Sequence, residues 1–286
     1  MANLEPKQNP LAAFFRQPKI YMSLPSKGKF YPNDALERTE NNEYPVFAMT
    51  ARDELIFKTP DALMNGAATV EVIKSCVPNI KDPWKMPSID VDAVLCAIRM
   101  ATSGTEMDVS ATCPKCGTDN DRSVDLRQLL DNFNNIEFST KVEIDQTILV
   151  NLKPMTYDQI SKTAIKAFEH QRIFQVANSE DLPEEEKVRL FQESFVKLTD
   201  ITFDIVANCV ESIESSMGNT SDPEHIREFL KNTDKNVFGK INETIDATKD
   251  KSTVPVLDTT CDKCSHDFKI NLTLDQADFF GRGFRR

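Results

Sequence analysis

The sequence predicts an α+β fold, predominantly helical, into which two short cysteine-bearing β-hairpins are set. Three observations carry this. Stretches such as 88-SIDVDAVLCAIRMAT-102 repeat apolar residues at three- and four-residue steps, the spacing of one helix face. Two segments, 110-SATCPKCGTDNDRSVDL-126 and 258-DTTCDKCSHDFKINL-272, each place two cysteines three apart, behind a threonine and ahead of an alternating, strand-like run. Glycine is scarce, 8 residues in 286, which argues against Gly-rich phosphate loops and repetitive β architectures.

Residues 1–19 read as an extended arm, because Pro6, Pro10 and Pro18 interrupt any regular element. Phe14, Phe15 and Arg16 on that arm either dock into a partner groove or fold back onto the chain's own surface. An α-rich unit spans 20–104. It opens with a Pro-Ser-Lys-Gly turn in 20-KIYMSLPSKGKFYPND-34, read as a hairpin or tight loop, and a short extended run, 44-YPVFAMT-50. Thr50 then caps a helix over ARDELIFK, and Thr59-Pro60 starts a second carrying Leu63, Ala67, Val70 and Lys74 on one face. The third helix sets Val91, Val94, Leu95 and Ile98 in register and stops at Gly104. Cys76 and Cys96 read as small buried apolar residues.

Residues 105–155 hold the first cysteine hairpin and the alternating run 141-KVEIDQTILVNLKPM-155. A helical insertion, 156–252, follows. It begins at a capping box, Thr156 with Gln159, that opens a helix of about twenty residues. Leu182-Pro183-Glu-Glu-Glu starts the longest helix, its acidic first turn matched to the helix dipole. Val188, Phe191, Phe195, Leu198, Ile205 and Cys209 recur along it, and Ile201, Phe203, Val206 and Val210 widen the apolar surface. Either this helix is buried centrally or it offers a face for self-association. Shorter helices are expected at 223-PEHIREFLK-231 and 234-DKNVFGKINETIDA-247, with 248-TKDKST-253 as a linker. The second cysteine hairpin spans 253–280, and a basic tail, 281-GRGFRR-286, ends the sequence.

A Cys-x-x-Cys turn after a strand directs two sulfurs to one side of a tight knuckle. Two knuckles supply the four thiolates that zinc prefers in a closed structural site. Cys113, Cys116, Cys261 and Cys264 are that ligand set, so the hairpins are expected to pair into a split zinc ribbon around one structural zinc. Lys115 and Lys263 occupy equivalent positions, and Val124 and Leu126 follow Cys116 at the offsets at which Leu272 and Leu274 follow Cys264. Leu129, Leu130 and Phe133 beyond the first hairpin have counterparts in Phe279 and Phe280 beyond the second. Zinc ribbons commonly separate their knuckles by about fifteen to twenty residues, whereas Cys116 and Cys261 are 145 positions apart. Closure entropy grows only logarithmically with loop length, so a folded insertion between half-sites is tolerable. His266 stands close enough in sequence to substitute as a ligand, though a surface histidine is the simpler reading. Neither pair has the strand-to-helix setting of a thioredoxin-like redox motif.

The formal net charge of -11 opposes nucleic acid as the main partner, because phosphate binding needs clustered Lys and Arg. A zinc-ribbon nucleic-acid-binding accessory factor is therefore the weaker alternative, resting on GRGFRR alone. No run of about eighteen apolar residues exists to span a membrane. The N-terminal sequence is a poor secretory signal, and 7 cysteines do not suggest a disulfide framework, so a cytoplasmic chain is expected. No catalytic constellation is present. The three histidines, His170, His225 and His266, are scattered, and Phe238-Gly239-Lys240-Ile241 lacks the upstream glycine and the following Ser or Thr of a P-loop. The chain is not expected to be an enzyme.

An ordered series of small motifs adds to this reading. The runs 21-YMSLPSKGKFYP-32, 48-AMTARDELIFKTPDALMNGAATVEVIKSCVPNIKDPW-84 and DVDAVLCAIRMATSGTEMDVSATCPKCG, ending at Gly117, resemble the baseplate hub proteins of T-even-like contractile-tailed phages. The similarity is close over about residues 20–126 and looser beyond. It implies a non-enzymatic role in virion morphogenesis, as a hub subunit or hub-assembly factor, with other hub and tail proteins as partners. It also implies residence in the host cytoplasm during assembly or in the tail baseplate. The segments it singles out are Pro60 to Gly66, Ser75 to Ile80 and the first knuckle, with Leu63, Val77 and Ile80 expected to hold the fold.

Overall fold

The computed structural model describes residues 11, 14–59, 66–136, 138–144, 147–177, 183–252 and 256–270. It is an α+β chain built from small antiparallel sheets and eight helices among these residues.

Strands β1 (Pro18–Ser23) and β2 (Glu43–Phe47) pair antiparallel, Ile20 opposite Val46 and Met22 opposite Tyr44. The turn after β1 therefore does not close a local hairpin. Residues 24–30 instead form consecutive tight turns, with Lys27, Gly28 and Phe30 at positive φ. Helix α1 (Ala51–Phe57) begins at the expected Thr50, whose hydroxyl accepts from the Asp53 amide while Asp53 accepts from the Thr50 amide at 2.7 Å. Helix α2 (Ala67–Cys76) starts at Gly66, held at φ +76°. The start expected at Pro60, and Leu63 with it, lie outside the described residues. The expected face is also rotated: Val70 is buried, but its companions are Val72, Ile73 and Cys76, and Lys74 is exposed. Helix α3 (Ser88–Ser103) runs to Gly104 as its spacing demanded, burying Val94, Leu95, Cys96 and Ile98.

A core forms where β1, β2, α2 and α3 meet helix α4 (Leu126–Asn134), whose Leu126, Leu129 and Phe133 are buried. Val77 and Ile80 belong to it, as expected for residues that hold the fold. Hairpin β3 (Glu106–Thr112) and β4 (Asp119–Asp125) rises from this core, which its base reaches through Met107 and Val124.

Helix α5 (Tyr157–Ala177) opens at the Thr156–Gln159 capping box, both hydrogen bonds present. Tyr157 stacks on Trp84 with 5.8 Å between ring centroids, and its amide donates to Met86 O, tying α5 to the foot of α3. A Cβ on Gly66 would come within 2.8 Å of Ser161 Oγ and 3.0 Å of Tyr157 Oη, so only glycine allows α2 and α5 to approach this closely. Helix α6 (Glu184–Cys209) folds back along α5 as the second arm of a helical hairpin.

A second core lies beyond. The run expected as one alternating strand is the hairpin β5 (Lys141–Ile144) and β6 (Ile148–Leu152). Val210, expected on the long helix, opens strand β7 (Val210–Ser215), which pairs with β6 and with β8 (Gly218–Thr220). The four strands pack against the end of α6, α7 (Pro223–Asn232) and α8 (Lys235–Ser252) through Val150, Val206, Ile226, Leu230 and Ile241. The linker expected at 248-TKDKST-253 is helical through Ser252, with Thr248 buried in α8. Strands β9 (Leu257–Thr260) and β10 (Asp267–Ile270) then form the last hairpin.

The N-terminal arm is anchored at its root. Arg16 donates to Ala48 O and to Ser75 Oγ at 2.7 Å, pairs with the buried Asp53 carboxylate at 3.5 Å and lies 5.6 Å from the Phe47 ring centroid. Of the two readings of the arm, folding back holds for Arg16, while Phe14 and Phe15 stay exposed. No helix among the described residues is long and apolar enough to cross a membrane.

Candidate metal centre

Each knuckle is held by the same local chemistry. In the first, the Cys113 amide donates to Thr118 O at 2.8 Å and the Gly117 amide to Cys113 O at 3.0 Å. In the second, the Cys261 amide donates to His266 O at 2.9 Å and the Ser265 amide to Cys261 O at 3.0 Å. The base of each is closed by a threonine hydroxyl donating to an aspartate, Thr112 to Asp119 and Thr260 to Asp267, both at 2.7 Å. TCPKCGTD and TCDKCSHD are thus one structure built twice. The repeat includes a left-handed residue after the second cysteine, Gly117 at φ +68° and Ser265 at φ +50°. A side chain there costs about 1 kcal/mol, partly offset by glycine's greater freedom in the unfolded chain. Ser265→Gly is therefore expected to leave the knuckle intact and raise the melting temperature slightly, as differential scanning calorimetry would show.

The two hairpins are separate two-stranded sheets, so no backbone ladder joins them. Side chains do. Arg122 on β4 reaches across, donating through Nε to Thr259 Oγ1 at 2.7 Å and through Nη2 to Thr260 O at 2.6 Å. It also grips both Asp262 oxygens, at 2.8 and 3.0 Å. Asn120, buried beside it, accepts from the Asp262 amide at 2.9 Å and donates to Thr118 O at 2.8 Å. This clamp sets the knuckle tips face to face.

The four sulfurs converge as a result. Cys113 Sγ is 3.7 Å from Cys264 Sγ, Cys116 Sγ is 3.6 Å from Cys261 Sγ, and all four lie within 4.8 Å of one another. A disulfide needs about 2.05 Å, and no cysteine of the chain is bridged. A zinc ion with four thiolates at about 2.3 Å separates them by about 3.8 Å, so the spacing fits that ion. Thiolate formation is locally supported. The Thr118 hydroxyl and amide hold Cys116 down at about 6, and the Cys264 and Lys263 amides lower Cys261. Burial pushes Cys264 up to about 12, the opposite sense. His266 contributes its carbonyl to the knuckle.

The other candidates fall elsewhere. Cys76, Cys96 and Cys209 are buried apart from the cluster, their thiols raised by burial to about 12, 12 and 11. Leu272, Leu274, Phe279, Phe280 and GRGFRR lie outside the described residues. The sequence reading missed Arg122, Asn120 and Asp262. Asn120 and Asp262 fill positions where the repeat has Phe268 and Pro114, so the departures from the repeat were their only signal.

With this arrangement in view, the comparison with known families is decisive. The family described as T4 bacteriophage base plate protein matches residues 16–281. The chain belongs to that family. The matched span takes in both knuckles and everything between them, so the wide separation of the cysteine pairs lies within the base plate protein family's own span. No curated relative and no solved structure matches the chain.

Because Arg122 positions Asp262 and the carbonyl preceding Cys261, Arg122→Met in this base plate protein should loosen any metal bound by the four thiols without removing a thiol. A roughly 10- to 100-fold weaker hold on zinc, read by competition with a chromogenic chelator, is the expected size for loss of such an outer partner.

Proposed function

We propose that the chain is a non-enzymatic hub subunit or hub-assembly factor of the phage tail base plate, stabilised by one structural zinc. Cys113, Cys116, Cys261 and Cys264 would hold the ion and join the two hairpins into a split zinc ribbon. The observation that carries this is the convergence of four thiols from hairpins 151 residues apart, in a chain of a base plate family. Four thiolates leave a tetrahedral ion no open position, so the metal would clamp the fold and not activate a substrate. The residues around it do the rest: Arg122 and Asn120 orient the second knuckle, and the amides of Lys263, Cys264 and Thr118 supply partial positive charge to the sulfurs.

The family assignment supports other tail proteins as partners and the base plate as the destination; assembly in the host cytoplasm is part of the proposal. The hairpins give no support to nucleic-acid binding. Around the knuckles Lys115, Arg122, Lys263 and Lys269 are offset by Asp119, Asp121, Asp258, Asp262 and Asp267, and Arg122 is occupied by Asp262.

Co-expression with the other tail proteins of its phage, followed by affinity purification and zinc determination on the same sample, tests the proposal. The expected result is a stable complex carrying one zinc per chain. Absence of co-purifying tail proteins would remove the hub assignment, and a metal-free complex would remove the zinc. Purified virions then separate the two hub roles, since a subunit persists in particles and an assembly factor does not.

A further inference from the structure

The helical hairpin α5–α6 has one face that the other described residues leave uncovered. Residues of a helix advance by about 100° each. The line along which α5 meets α6 runs through the half-buried Thr163, Ala167 and His170. The matching line on α6 runs through Leu190, Ser194 and Ile201, with Ser194 only 1% exposed. Phe168 follows Ala167 by one residue, and Phe195 follows Ser194 by one. In an antiparallel pair, equal rotations from the contact line fall on the same side. Phe168 and Phe195 therefore share a face, together with Ile165 and Val188, and all four are exposed, Phe195 by 69%. The opposite face, reached by the reverse rotation, carries Lys162, Lys166, Arg189, Glu193 and Asp200, all exposed. Gln192, Thr199 and Thr202 complete this side of α6, which from Val188 to Thr202 is polar in part but bears no charge in a chain of net charge -11.

We propose that this face is the contact between two copies of the chain, packed as a four-helix bundle with α5 of each copy lying on α6 of the other. Charge selects this occupant. An uncharged face lets two acidic chains meet without like-charge repulsion. Where charge does border the face, near the hairpin tip, the two helices carry opposite signs: exposed Arg172 on α5, exposed Glu184 and Glu185 on α6. A two-fold axis parallel to the helices brings Arg172 of each copy toward the acidic first turn of the other's α6. Stacking α5 on α5 would forfeit that match.

The test uses the full-length chain in analytical ultracentrifugation, with melting temperature as the folding control. The wild type is expected to sediment as a concentration-dependent dimer. Phe195→Asp should return it to the mass of a single chain, with the melting temperature that the wild type shows at dilutions where it too is a single chain. Arg172→Glu should weaken association about tenfold, and adding Glu185→Arg should restore it. A wild type at single-chain mass at every concentration overturns the proposal, as does a dimer indifferent to Phe195→Asp. Should the wild type stay single and bind another tail protein through Phe195, the face belongs to that partner and the second-copy proposal is wrong. A double variant that fails to recover excludes the α5-on-α6 arrangement. None of these outcomes bears on the zinc, whose site is built from other elements.

Discussion

Replacing Cys113 with serine is expected to lower the melting temperature by about 10–20 °C and to release the metal. The size follows from topology. The proposed ion would tie together positions 151 residues apart, and closing a loop of that length stabilises a fold by about 5 kcal/mol in the chain-entropy model. For a chain of this size each kcal/mol moves the midpoint by about 2–4 °C. The same loss should follow treatment of the wild type with a strong chelator, and the two should not add, because both remove one link. Cys96→Ser is the control: a buried thiol outside the cluster, whose replacement should leave zinc content unchanged. Equal zinc content and equal melting temperature in Cys113→Ser and wild type would refute the structural zinc.

The second large effect belongs to Asp90 in the first turn of α3. Its carboxylate is fully buried and accepts from the Ser26 amide at 2.7 Å and the Ser26 hydroxyl at 2.6 Å, pinning the Leu24–Phe30 turns against the helix. Burial outweighs these hydrogen bonds and pushes its pKa up to about 6 from an ordinary 3.8. Because the folded value is raised, the native state binds the proton more tightly than the unfolded chain does. The favourable contribution is complete below about pH 3.8 and is lost as pH rises through about 6, a change of roughly 3 kcal/mol. Asp90→Asn keeps the shape and a hydrogen bond to Ser26 but cannot ionise. Relative to wild type it should gain stability between pH 4 and 7, read as the difference in urea midpoints at each pH. Asp90→Ala should lose about 2–4 kcal/mol below about pH 4, since it strands two buried Ser26 donors, and the deficit should shrink as pH rises through about 6 and the wild type itself loses the protonated carboxyl. A wild type minus Asp90→Asn difference that is flat with pH would show that the carboxyl ionises freely.

The elements that the sequence made legible were those with local signals. Thr50 with Asp53, and Thr156 with Gln159, are short-range hydrogen-bonding patterns that act before any tertiary contact, and both helices start there. Pro183 with three glutamates, and Gly104, mark a start and a stop for equally local reasons. The failures share a cause as well. Val206, Val210 and Ile213 continue a helical period straight across the junction of α6 and β7, so periodicity cannot see that Val210 turns to extended geometry. In 141-KVEIDQTILVNLKPM-155 alternation runs through both strands of a hairpin, with no glycine or proline to announce the reversal. Lys249, Asp250 and Lys251 look like linker, yet the turn before them is fixed by burial of Thr248. At the cysteine cluster the convergence of the four thiols was legible because their spacing repeats. The Arg122 clamp was not, since a contact across 137 to 140 residues leaves no trace in either neighbourhood.

The division of the four sulfurs between distant hairpins also bears on the order of events at the ribosome. Cys113 and Cys116 emerge together with the core that supports their hairpin, but Cys261 is made 145 residues later. At about 5–20 residues per second that is a wait of about 7–30 s, during which one knuckle presents only two of the four thiols. The four thiols of the proposed site can meet only after the whole intervening helical region has been translated and has returned its far end to the start. Closure of the cluster therefore reports that the middle of the chain has folded, and a chain stalled or cut within that region is left with an open thiol pair instead of a finished building block.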